Sequence, residues 1–140
     1  MTPEPTIPTL DGPAGLLLSR DLIFTSKVTG TASALGHRVI VAGNVALVRA
    51  ILGRWTPTVV FVDLAAGDLV DSTTLLQYRE VAPPGTPFVA FGSHVDTEAL
   101  ADAKAAGCDP VMPRSRFTVE LPALIRRYFG EGQAGSVLPP

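Results

Sequence analysis

Asp63 is the residue best placed to do chemistry in this sequence, because it closes the run TVVFVDL and puts a carboxylate directly after four apolar residues. A carboxylate there can hold a cation or attack an electrophile, and it can equally cap the turn that follows. Three other short stretches carry reactive types: Ser19, Arg20 and Asp21 after GLLL, Gly92, Ser93 and His94 after PFVAF, and Arg114 after DPVMP. Arg20 and Arg114 form an anion or salt-bridge set in which either guanidinium pairs with Asp63. Ser93, His94 and Asp96 supply nucleophile, base and acid, but neighbours in sequence do not make a triad, and no G-x-S-x-G elbow is present. Cys108, His37 and His94 lack zinc-ligand spacing, so Cys108 reads as a small buried hydrophobe. The glycines at 12, 15, 30 and 36 build neither a dinucleotide fingerprint nor a phosphate loop.

The elements that must position these residues are brief apolar runs separated by helix-length segments. The runs at 15–19, 38–42, 58–64, 87–93 and 109–114 read as strands, and the middle ones are apolar almost throughout, as in a sheet covered on both faces. Helices are expected over 21–35, 44–52, 73–81 and 97–106, with a last one starting near Thr118 and keeping Pro122 in its first turn. Asn44 and Asp96 are suited to cap the second and fourth helices, and Gly36 to end the first. Five β-α units with right-handed crossovers imply a doubly wound three-layer α/β sandwich, with a five-stranded parallel sheet and five helices. In such sheets the working crevice lies beyond the C-terminal strand ends, where Asp63 and the three stretches above fall.

With its 140 residues the chain amounts to one ordinary domain, and 46% hydrophobic content can build a core without disulfides. Residues 15–129 are the expected folded unit, and the Pro-rich residues 1–14 and the small, polar residues 130–140 are expected as flexible tails. A formal charge of −2 without a dense basic run gives no footprint for direct nucleic-acid binding. No apolar run reaches the roughly 18 residues a membrane span needs, and the N-terminus lacks the look of a signal peptide. One cysteine suits a reducing compartment, and the expected location is cytoplasmic.

VVFVDL, AFGSH, AGCDPVMPRS and the final helix together resemble the receiver domain of response regulators, over essentially all of residues 15–129. The resemblance implies a flavodoxin-like, CheY-like fold of strand order 2-1-3-4-5. It also implies a phospho-accepting aspartate at Asp63, with Mg²⁺ held by acids after the first strand. Here the acidic pair falls on Ser19 and Arg20 with Asp21 third, the hydroxyl position on Gly92 beside Ser93, the lysine position on Arg114, and the relay aromatic on Met112 or Val111. The leading reading is therefore an atypical, pseudo-receiver signalling module that works through protein contacts, without standard Mg²⁺-dependent phosphoryl switching. It has no expected cofactor and no enzymatic role beyond phosphoryl acceptance on Asp63. Its implied partner, another protein or a second copy, docks on the surface of helix four, strand five and helix five. One alternative is a functional phosphoacceptor served by a histidine kinase, with Asp63, Asp21 and the carbonyl of Ala65 on Mg²⁺, Arg114 at the lysine position and Ser93 as substitute hydroxyl. Another is a small-anion sensor using Arg20 and Arg114.

Overall fold

A computed structural model describes residues 12–130. The tails expected at 1–14 and 130–140 lie outside these residues apart from 12–14 and 130.

Five strands, β1 (Gly15–Leu18), β2 (Val39–Ala42), β3 (Val60–Asp63), β4 (Phe88–Gly92) and β5 (Val111–Pro113), form one sheet. Their order is β2-β1-β3-β4-β5 and every pairing is parallel. Parallel neighbours need crossovers, supplied by α1 (Leu22–Ala34), α2 (Val45–Leu52), α3 (Ser72–Val81), α4 (Thr97–Ala105) and the closing α5 (Arg114–Phe129). The two-residue alternation of each strand then divides the core. Leu16, Leu18, Val60, Val62, Phe88 and Ala90 face α2, α3 and α4. Leu17, Phe61, Val89 and Phe91 face α1 and α5. Both faces are closed to water, which is why β1, β3 and β4 are buried at every position.

The helices start where side chains can take orphan backbone donors. Asp21, Asn44, Asp71 and Asp96 accept from Phe24, Leu47, Thr74 and Ala99 at the starts of α1, α2, α3 and α4. Gly36, with φ of +80°, provides the left-handed turn after α1.

Two expectations are corrected. Among the described residues there are six helices rather than five, because a 3₁₀ segment, η1 (Leu64–Leu69), follows β3 directly. Its first turn is capped by the Asp63 carboxylate, and Gly67 at φ +62° kinks it. Such short turns leave no amphipathic period for a sequence to display. The last helix begins at Arg114 rather than near Thr118, so Pro122 lies in the helix interior and the Thr118 carbonyl loses its usual donor. This early start places Arg114 at the rim of the sheet.

Candidate functional site

The C-terminal edge of the sheet gathers residues from the ends of β1, β3 and β5 around Asp63, which is 1% exposed. Its Oδ1 accepts from the backbone N–H of Ala65 at 3.0 Å and from Arg114 at 2.9 Å, and its Oδ2 accepts from the Ser19 hydroxyl at 2.7 Å. Ser19 is itself buried and its Oγ accepts the Asp21 N–H at 3.2 Å. These three donors are what allow a carboxylate to stay out of water at a strand end. Arg114 reaches it from the first residue of α5, with its other terminal nitrogen 3.6 Å from Asp21 Oδ2. The Arg114 guanidinium also lies over the Phe24 ring, 4.5 Å from its centroid, and 5.7 Å from that of Phe91.

Arg114, not Arg20, is the partner of Asp63. Arg20 turns the other way: it donates to the carbonyls of Gly43 and Ala66 and pairs with Asp68 at 2.7 Å. The Arg20 guanidinium holds the Asp68 carboxyl below its ordinary range. The two arginines of the anion-sensor reading are thus engaged by different carboxylates. Asp21 combines two roles, capping α1 through Oδ1 and facing Arg114 through Oδ2. Ala65 offers its N–H to Asp63.

Ser93 stands in the turn after β4, exposed, with its Oγ accepting from the Val95 N–H at 3.4 Å. Gly92 is buried against Leu64, whose Cβ and Cδ1 would lie 3.1 Å and 3.3 Å from any added Cβ, so this backbone favours glycine there. Met112 is buried in β5, and Val111 is half-buried beside it. His94 and Asp96 are exposed on the same turn, and Asp96 serves as the α4 cap. Cys108 is buried, as its apolar setting in the sequence suggests, and burial pushes its thiol up to about 11. Among the described residues no group of three or more His, Cys, Asp or Glu side chains is placed to hold a metal ion.

Sequence reasoning missed Ser19 as a donor to Asp63, and its place immediately after the first apolar run was the available signal. Phe24 under Arg114 left no such signal, because a helix-face phenylalanine reads as core.

No family model matches the chain, and a search of curated proteins finds no significant match. Solved structures do match. A response regulator from Thermotoga maritima is 21% identical with a TM-score of 0.68, covering 83% of this chain and 96% of that one. A two-component response regulator from Clostridium difficile gives 16% and 0.71, covering 84% and 96%. The receiver domain of the sensor histidine kinase PA1611 from Pseudomonas aeruginosa gives 16% and 0.71, covering 85% and 98%. The chain has the receiver-domain fold.

That likeness corrects the expectations of no cofactor and of no enzymatic role beyond, at most, phosphoryl acceptance on Asp63. The PA1611 receiver holds a magnesium ion coordinated in its active-site cleft. In this receiver fold a buried Asp63 paired to Arg114 stands at the sheet edge where such a cleft opens. The donors present fit a hard cation in type: Asp63 and Asp21 are two carboxylates, Ser19 adds a hydroxyl, and Mg²⁺ needs only one or two carboxylates because it keeps several waters. Asp63, Asp21 and the Ala65 carbonyl are the groups that would hold it. Arg114 already brings one positive charge to the same carboxylates, which lowers the site's pull on a cation below that of an all-acid cleft.

Among the described residues no helix is long and apolar enough to cross a membrane. Two aromatic side chains that could have served as exposed partner anchors are instead packed: Phe117 is fully buried and stacked on Phe91 at 4.0 Å, and Trp55 packs half-buried against the core.

Proposed function

We propose that this receiver-fold chain is a phosphoacceptor in two-component signalling, taking a phosphoryl group on Asp63. The observation that carries the reading is the buried Asp63 carboxylate at the end of β3 with the Arg114 guanidinium on its Oδ1 at 2.9 Å. An Asp63 oxygen forms the new bond to phosphorus as the donor's bond to phosphorus breaks, so negative charge accumulates on the transferred oxygens. Fixed cationic donors aimed at that charge are the main protein contribution to such a transfer. Arg114 supplies a planar fork whose second nitrogen is free to follow the incoming oxygens, since it lies 3.6 Å from Asp21 and is not committed to a short bond there. Ser19 and the Ala65 N–H fix the carboxylate plane. A bound Mg²⁺ would add neutralisation of the same phosphoryl oxygens.

The phosphoryl donor in this reading is a histidine kinase, and the output passes to another protein or a second copy through the surface of α4, β5 and α5. The support is the likeness to response regulators, together with the position of Arg114 at the β5-α5 junction. Ser93 is a poor hydroxyl for a relay from the site, because it is exposed and tied to its own turn.

The test is intact mass after incubation with acetyl phosphate or phosphoramidate, with and without Mg²⁺, for the wild type and Asp63→Asn. The expected result is a gain of one phosphoryl group, larger with Mg²⁺ and lost in the variant. No gain in a folded wild type would overturn the reading.

A further inference from the structure

Arg114 has a long side chain at a partly open rim, one third exposed, yet its two terminal nitrogens address Asp63 and Asp21 together. Holding a four-torsion side chain in one pose costs entropy, and two carboxylates on one edge of the guanidinium do not fix the tilt of its plane. The face of the group rests on a ring, with Phe24 4.5 Å below it. Phe24 is itself fixed, 8% exposed, with its ring 5.0 Å from Phe91 and 6.0 Å from Phe117, while Phe91 and Phe117 stack at 4.0 Å. The start of α1 thus carries both the platform, Phe24 in its first turn, and the second carboxylate, Asp21 at its N-cap, three residues apart.

We infer that Phe24 is a positioning residue for phosphoryl acceptance: its ring face holds the Arg114 guanidinium in the plane from which it serves Asp63. The role rests on the phosphoacceptor reading. The interaction is a cation over an aromatic face, strengthened by partial removal from water, and it selects arginine because a planar guanidinium stacks where an ammonium does not. Removing the face while keeping an apolar side chain frees Arg114 to sample solvent, and phosphorylation slows by about tenfold.

The experiment reads Arg114 directly and then the reaction. In the folded wild type, proton NMR of the Arg114 side chain should show Hδ and Hε resonances shifted upfield by the ring, and unshifted resonances overturn the inference without any variant. In Phe24→Leu these shifts should vanish and phosphorylation by acetyl phosphate should slow, with rescue of both in Phe24→Tyr, which keeps the ring face. A Phe24→Leu protein that folds and slows but keeps an ordered Arg114 also overturns it. A wild type with shifted Arg114 resonances that accepts no phosphoryl group sinks the phosphoacceptor reading and, with it, the catalytic purpose given to Phe24.

Discussion

At Asp63 three donors satisfy two oxygens, and each donor comes from a different part of the chain: Ser19 from the end of β1, Ala65 from η1 and Arg114 from α5. Removing one leaves a buried charge short of a partner, which is more costly than the net worth of an ordinary hydrogen bond. Ser19→Ala should therefore lower unfolding free energy by about 1–3 kcal/mol, read from the urea midpoint with unchanged slope. It should also leave Arg114 as the main director of the carboxylate. Arg20, the residue directly after Ser19, is spent on Asp68 and two carbonyls instead. Residue type alone could not separate the two arginines, since both are long enough to reach a strand-end carboxylate.

Two buried titratable groups away from the site, Tyr78 on α3 and Cys108 between α4 and β5, give the protein a pH limit. Tyr78 of α3 is fully buried and donates to the Leu69 carbonyl of η1 at 2.8 Å, tying the segment after Asp63 to the helix below it. Burial is the first cause pushing its hydroxyl up to about 12 from 10.0, with the Asp71 carboxylate adding to it, and burial likewise pushes Cys108 up to about 11 from 9.0. In both cases the folded state keeps the proton that the unfolded chain loses first. Their contribution is thus fully present below about pH 9 and is lost as pH rises through about 12. Denaturant titrations should show stability falling across that window. Tyr78→Phe should cost about 1 kcal/mol at neutral pH through the lost hydrogen bond. It should also confine the alkaline fall to the lower, Cys108 part of the window; an unchanged profile would remove Tyr78 from the account.

Across the whole molecule, stability resides in two apolar layers on a sheet with β3 at its centre and β1 and β4 beside it. Leu17→Ala on β1 empties a fully buried site and should cost about 2–5 kcal/mol in chemical denaturation, whereas Leu76→Ala on the open face of α3 should stay within about 0.5 kcal/mol. The alternation of short Val- and Phe-rich runs with helix-length segments was enough to read five parallel strands, and the capping roles of Asn44 and Asp96 followed from residue type, because both signals are local. Local patterns also located Asp63 at a strand end. They could not show η1, whose turns are too short to have a period, nor the early start of α5, where Pro122 pointed to a later one. Nor could they show which side chains meet across strands that lie 44 or 51 residues apart. Local signals along the chain were sufficient for the parallel α/β architecture and the carboxylate at its working edge. Tertiary structure decided that Arg114 rather than Arg20 pairs with that carboxylate, that Ser19 completes it, and that Phe24 lies beneath the pair. Hydrophobic periodicity is written along the chain, while a site is made by the distances that sheet register and helix starts impose between its distant parts.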